Sequence, residues 1–341
     1  MKTGYNRKAF YYAAAILLAA LILLFFLSFL IGTYPIPLRT VWDVLRSQFV
    51  PVQTYWESAV TKTIFQVRIP RILLAILVGG SLAVSGASYQ TLFKNPMVSP
   101  DILGVSAGAG FGAALAMITG GAWAQVQGSA LLFGLAAVGL TYMIGSVSGK
   151  SDVTTLVLGG IIVSSLFQAL LNVVKTYSDT DSHLPSITFW LMGSLGKGDM
   201  QDVWSMLPVT IICLAVLFLF RNQIDVLSAG EDEAAALGVN VRLVTVVVIL
   251  SATLMTVVSV SICGIIGWVG LVIPHISRMF AGARYGRLMI LSFLMGGFFL
   301  LLMDNLIRGV GSIELPIGVL TALVGTPVFA FLLIRNERRK S

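Results

Sequence analysis

Residues 9–31 read AFYYAAAILLAALILLFFLSFLI, 23 residues without a charge. A helix needs about 20 mostly apolar residues to cross a bilayer. Lys2, Arg7 and Lys8 precede the run, as basic residues precede the apolar core of a signal peptide. Such a core is shorter, about 7–15 residues, and ends at small residues suited to cleavage. This run is longer and no A-x-A signal follows it. It therefore predicts a retained first membrane helix.

The rest of the chain has the same character. Of 341 residues, 57% are hydrophobic and 11% charged, against about 25% charged in soluble domains. That charge density is too low to keep a soluble surface dispersed. A soluble enzyme, a disordered chain and a nucleic-acid binder are excluded, despite a net charge of +7. Ten apolar stretches cover residues 9–31, 68–89, 102–118, 128–147, 154–174, 203–220, 241–262, 265–281, 288–307 and 316–334. The expected fold is all-α: a polytopic membrane protein of about ten transmembrane helices, with residues 1–341 in one membrane domain. An even number of spans puts both termini on one side. With that side cytoplasmic, 14 Lys and Arg fall inside and 8 outside, the bias expected of cytoplasmic loops. The largest outer segment, 32–67, contains Tyr34-Pro35-Ile36-Pro37 and then a short amphipathic stretch from Thr40 to Leu45. Trp42 is its interfacial anchor.

A shift of 178 residues puts Gly86 on Gly264, Pro96 on Pro274, Gly104 on Gly282 and Gly108 on Gly286. This suggests an inverted repeat of spans 2–5 and 7–10, as in many transporters. Chance matching among 34 glycines is the alternative.

Two motifs resemble nucleotide loops and fail as such. Gly145 to Ser151 has three residues between its glycines, where the phosphate loop has four; a tight cytoplasmic turn is expected. Gly108-Ala109-Gly110-Phe111-Gly112-Ala113 lies within an apolar span, where small residues bring helices close together. Cys213 and Cys263 lack CxxC spacing and read as apolar fillers. His183 and His275 are too few for a His-rich metal site. No catalytic constellation occurs. Nor does a chain of buried acids, which a proton-driven carrier would use.

Three segments carry more information. In residues 94–104, Pro96 and Pro100 with Asn95 and Asp101 break any helix. The segment is either a constriction folded into the membrane or an ordinary cytoplasmic loop. At 228–238, Ser228 is placed to cap a helix, three acids suit its first turn, and Gly238 can end it. This short helix either docks into a partner's groove or is a solvated connector. Asp304 and Arg308 are spaced for an ion pair near the outer surface. Gln90, Gln168, Asn172 and Asn305 either line a path or bond between helices, and His275 is packed or faces the path.

The sequence also resembles a known family. Arg68-Ile69-Pro70-Arg71-Ile72-Leu73, Gly86-Ala87-Ser88-Tyr89-Gln90, Asn95-Pro96, Leu103-Gly104-Val105-Ser106-Ala107-Gly108, Gly267 to His275 and Glu314 to Val319 occur in the order found in FecCD permeases of type II ABC importers. These carry ferric siderophores, haem or vitamin B12, and some relatives carry molybdate or tungstate. The resemblance implies a non-enzymatic permease in the bacterial or archaeal inner membrane, paired with a second copy or a close relative. It implies two ATPase subunits binding ATP and Mg, with no cofactor or metal on this chain, and an extracytoplasmic binding protein. By family frequency, ferric siderophore is the first expectation for the substrate. Matching positions imply a coupling helix at 229–238, with Gly230, Glu231, Glu233, Ala234, Leu237 and Gly238 against the ATPase. They imply gates at Asn95 and Met97 and at Val153 and Thr154, and outward-facing docking arginines at Arg68 and Arg308.

Overall fold

The computed structural model describes residues 7–146, 153–282, 284–310 and 315–337. Among these residues all regular structure is helical, in fourteen helices. Helix α1 spans Arg7–Leu27 and α2 spans Leu38–Arg46; α3 runs from Ser58 to Leu92 through a π-helical turn at Thr63–Arg68. Next come α4 (Val105–Ile118), α5 (Trp123–Ser146), α6 (Val153–Thr176), α7 (His183–Leu191) and α8 (Met200–Leu219). Helices α9 (Arg221–Ala229), α10 (Glu231–Ala236), α11 (Val241–Cys263), α12 (Val269–Ala281), α13 (Tyr285–Val310) and α14 (Ile317–Glu337) complete the chain. Seven of them, α1, α3, α5, α6, α8, α11 and α13, are long and apolar enough to cross a membrane; α4, α12 and residues 317–332 of α14 form shorter apolar helices. The molecule is thus an all-helical, multi-pass membrane protein. Below, the near end is where α1 starts and the far end is where it finishes.

Helix α3 is the central element. It packs against α13, α11, α12 and α8, and its apolar window is 89% buried. Its π turn has a local cause. Pro70 has no N–H and its ring crowds the preceding turn. The chain widens there, and the Ile69 N–H reaches back to the Ile64 carbonyl.

Lipid offers no hydrophobic drive between helices, so small residues and polar bonds must hold them together. A Cβ on Gly79 would lie 2.3 Å from the Gly296 carbonyl, and one on Gly86 would lie 1.8 Å from the Gly270 carbonyl. Hydroxyl pairs tie α3 to α8, α11 and α13: Ser81–Thr210 (3.1 Å), Ser85–Thr256 (2.6 Å), Ser88–Tyr285 (2.7 Å) and Tyr89–Thr253 (2.7 Å). Gly108 and Gly112 likewise bring α4 against the Phe133 and Ser129 carbonyls of α5, the packing role expected for that glycine motif. Cys213 and Cys263 are buried and unbonded to each other.

Four sequence expectations change. Helix α3 begins ten residues before the predicted start at 68, because residues 58–67 join it as an amphipathic extension. The predicted span at 265–281 is helical only from Val269; residues 264–268 are irregular, and Trp268 has φ +70°. Helices α7 and α9 were not expected. Finally, the 178-residue register pairs unlike positions. Gly86 lies inside a helix and Gly264 after one; Pro96 lies in a connection and Pro274 inside a helix. The better correspondence is between Gly104 (φ +85°) and Trp268, each a left-handed residue immediately preceding a short apolar helix.

Candidate functional site

At the near end, the connection after α3 folds back onto the protein. Gln90 Nε2 donates to the Val98 carbonyl (3.3 Å) and to the Leu271 carbonyl of α12 (3.2 Å). Pro100 is buried at the point where α12 presents Gly270, and the turn at 100–103 packs on Gly160 of α6. Irregular backbone at this depth survives because protein covers it. Asn95 and Met97 remain exposed, and Asn95 Oδ1 accepts the Met97 N–H (2.9 Å). Thr154 is exposed in the first turn of α6. The Val153 side chain, residues 147–152 and Glu314 lie outside what is described.

Beside this connection, α9 and α10 form a small module. Asp225 Oδ1 accepts the Tyr285 N–H (2.6 Å), tying α9 to the start of α13. Burial pushes the Asp225 carboxyl above its ordinary range, against the opposing pull of that bond and of Arg284 and Arg221. Helix α10 has the expected acids in its first turn, suiting its dipole. Ala234 is 0% exposed and anchors it to the core; Glu231 and Glu233 stand in solvent, and Leu237 is 73% exposed. Gly238 ends the helix at φ +78°, where Val239 N–H bonds to the Ala234 carbonyl (2.9 Å). Ser228 is not the cap. It lies within α9, donating to the Asp225 carbonyl (2.7 Å), and Gly230 takes the cap position in extended backbone.

At the far end, Asp304 is 0% exposed between two arginines. Arg71 Nε bonds to its Oδ1 at 2.8 Å, and Arg308 Nε lies 2.9 Å from its Oδ2. The second is a charge contact without hydrogen-bond alignment. Arg308 also donates to the Ser28 (3.1 Å) and Ile31 (3.0 Å) carbonyls, while Arg68 donates to those of Phe29 and Tyr34. The predicted outward arginines are therefore turned inward, because the carbonyls after α1 need donors. With Arg71 they line a cavity of about 130 Å³. The Asp304–Arg308 pair forms as the spacing predicted, but it is dry rather than solvated. The role of Arg71 escaped sequence reasoning; its spacing of three from Arg68 was the available signal.

The remaining polar residues separate into two groups. Gln90 bonds between elements, and Asn305 does so through Ser28 Oγ (2.7 Å). Gln168 and Asn172 do not. They bond to each other along α6 (3.3 Å) and stay exposed, in line with Ser165 one turn before. Exposed Ile161, Ile162, Leu166 and Val173 flank them. His275 packs edge-on against Phe329, with ring centroids 6.0 Å apart.

Comparison with known proteins agrees with this geometry. The FecCD transport family matches residues 20–335. The chain is 36% identical over 312 residues to the molybdate import system permease protein MolB of Haemophilus influenzae, covering 92% of each. It is 33% identical over 323 residues to the hemin transport system permease protein HmuU of Yersinia pestis, covering 91% of this chain and 92% of that one. A solved inward-facing conformation of a metal-chelate type ABC transporter matches with a TM-score of 0.82 at 36% identity, covering 95% of this chain and 99% of that one. The chain is a multi-pass membrane permease and belongs to the FecCD transport family.

Proposed function

We propose that this chain is the permease subunit of a type II ABC importer that brings a metal chelate, ferric siderophore first, into the cell across the inner membrane. The observation that carries this reading is the exposed polar line Ser165–Gln168–Asn172 on a membrane-crossing helix. Amides facing lipid are costly, whereas amides facing a water-filled path are not. In a pair of permeases, two such lines would face each other across that path. The near end is then cytoplasmic, with ten spans, both termini inside, and Asn95, Met97, Val153 and Thr154 as gates. Two ATPase subunits would bind ATP and Mg and seat against α10. The arginine-lined hollow at the far end would receive a carboxylate from a lobe of the binding protein. Arg68, Arg71 and Arg308 line this hollow, and a concentration of positive charge favours docking of an acidic partner. The chain itself would perform no bond chemistry.

Vesicle uptake with the partner ATPase and binding protein tests this reading. Uptake of ferric chelate is expected to stop with a catalytically dead ATPase. Uptake that survives the dead ATPase and follows a proton or sodium gradient would overturn it in favour of a secondary carrier.

Coupling has its own test. Reversing Glu231 and Glu233 to Lys on α10 is expected to cut co-purification of the ATPase about ten-fold, as two lost charge pairs of about 0.7 kcal/mol each would. Gly238→Pro should act the same way, since proline cannot take φ +78°. Unchanged complex formation in both variants would remove α10 as the contact.

A further inference from the structure

The near-end turn after α3 is closed by an unusual residue. Lys94 N–H bonds to the Thr91 carbonyl (3.3 Å) and Asn95 N–H to the Gln90 carbonyl (3.2 Å), the paired bonds that end a helix on a left-handed residue. Glycine is favoured there because it has no Cβ to clash. This chain places a lysine in that position, at φ +50°. Trp268 is the one other non-glycine with positive φ among the described residues. A cation does complement the C-terminal dipole of α3, but a lysine within the last turn would do so without the left-handed backbone. The helix would close as well or better on glycine, so the fold alone gives no reason for this side chain.

Lys94 lines a near-end cavity of about 250 Å³ together with Gln90, Thr91, Pro96, Ser228 and Arg278. Lys94 is exposed and Arg278 half-buried. Neither makes an ion pair among the described residues, and no carboxylate lines the cavity. Arg278 Nε is sealed from solvent, so its guanidinium meets a ligand only through the terminal nitrogens. One of them, Nη2, makes a long bond to Thr91 Oγ1 (3.4 Å). The neutral donors are already engaged. Thr91 Oγ1 donates to the Ala87 carbonyl (2.7 Å), Ser228 Oγ to the Asp225 carbonyl (2.7 Å), and Gln90 Nε2 to the carbonyls of Val98 and Leu271. What remains is two cations on one small polar hollow without a counter-charge. A single carboxylate would answer one of them, whereas a phosphate offers anionic oxygens to both. The volume lies below the range of about 300–1,000 Å³ that encloses drug-sized ligands, which suits a small anionic group rather than a nucleotide.

We propose that this cavity binds a phosphate group, either free inorganic phosphate or the headgroup phosphate of an anionic lipid. Both sources are within reach. Phe10 of the peripheral helix α1 packs with Ala87, one turn before Thr91, and with Ala281, just beyond Arg278, so the cavity lies beside a lipid-facing helix, where basic pockets take lipid headgroups. Lys94 and Pro96 are also open to solvent. A bound phosphate would join three parts of the near end: the connection that carries Asn95 and Met97, the last turn of α12, and α9 two residues before the cap of α10. The site stands on these contacts alone. Only the statement that its side of the membrane is cytoplasmic rests on the import reading.

The test uses the full-length permease in maltoside micelles, which carry no phosphate. Equilibrium dialysis of radiolabelled orthophosphate reads the free anion. Native mass spectrometry after exposure to equal phosphatidylglycerol and phosphatidylcholine reads the headgroup. Binding in at least one arm is expected. Saturable orthophosphate binding alone identifies the free anion as the source, preferential retention of phosphatidylglycerol alone identifies the lipid, and both together show that the cavity takes either. K94G and R278M should each weaken binding about ten-fold, and R278K should keep part of it. K94G should unfold at or above the wild-type Tm, because glycine suits φ +50°, so its loss of binding separates the ligand from the fold. If R278M fails to fold, K94G carries the test alone. No saturable orthophosphate binding up to about 1 mM, together with no preference for phosphatidylglycerol, overturns the proposal. So does wild-type binding in K94G or in a folded R278M. A K94G Tm clearly below wild type would also overturn it, by showing that the fold itself requires this lysine. Displacement of orthophosphate by an equal concentration of acetate would overturn it in favour of a carboxylate ligand. The vesicle assay above decides the import reading and this one the cavity, so either can fail alone.

Discussion

Asp304→Ala is expected to remove most of the folded protein from the membrane. Asp304 is the shared carboxylate between Arg71 and Arg308 and has no exposed surface. Removing one partner of a buried ion pair costs about 3–5 kcal/mol, because the remaining charge is left uncompensated. Here two guanidinium groups lose a shared carboxylate at once. One of them, Arg308, also orients the turn after α1. A loss of this size is a large share of the roughly 5–15 kcal/mol that holds a domain together. The expected result is a several-fold fall in detergent-extracted folded protein and a clearly lowered Tm. Asp304→Leu combined with Arg308→Met should recover part of the loss, since an apolar replacement leaves fewer stranded charges. A Tm for Asp304→Ala equal to wild type would show that the arginines find other partners.

The second large effect is expected at Gly86. A single methyl there would sit 1.8 Å from the Gly270 carbonyl, and backbone cannot swing aside as a side chain can. Gly86→Ala must therefore part α3 from α12. Overpacking of this kind costs about 3 kcal/mol, and it would also disturb the turn where Pro100 meets Gly270. Gly139→Ala is the matched control: nothing lies within 4 Å of the added carbon. That variant should be neutral or slightly stabilised, because alanine favours helix over glycine by about 0.8–1.0 kcal/mol. Thermal unfolding of the two variants side by side checks the pair. Equal midpoints would mean that the α3–α12 contact yields easily.

Much of this architecture was legible in the chain because membrane burial imposes long apolar runs. Each of the ten predicted stretches is occupied by an apolar helix. What stayed hidden depended on partners distant in sequence. Helix α7 has nine residues with a proline inside, too short for a periodic signal. Helix α9 continues from α8 with only a bend at Phe220, so its polar residues read as loop. Arg68 and Arg308 carry nothing in their local sequence to say that they turn inward. Their acceptors are carbonyls 34–39 and 277–280 residues away, and a carbonyl leaves no trace in residue identity. The acidic helix at 231–236 was readable, with Gly238 closing it, because those signals are local; its N-terminal cap is Gly230 rather than Ser228. The polar line on α6 was half readable: the amides stood out, but not the face they would share.

The arginine latch on α1 also bears on how the chain is made. Helix α1 is peripheral, with only 11% of its apolar window buried. The carbonyls that follow it emerge from the ribosome early. The Arg308 side chain that satisfies Ser28 and Ile31 is synthesised at least 277 residues later. At about 5–20 residues per second this interval is about 14–55 s. During that time the first helix must reside in the bilayer without its clasp. The clasp closes only when the ninth apolar segment has inserted in the correct direction. A chain truncated or misinserted before that point would display an unfastened first helix, a ready mark by which membrane proteases could tell unfinished copies from finished ones.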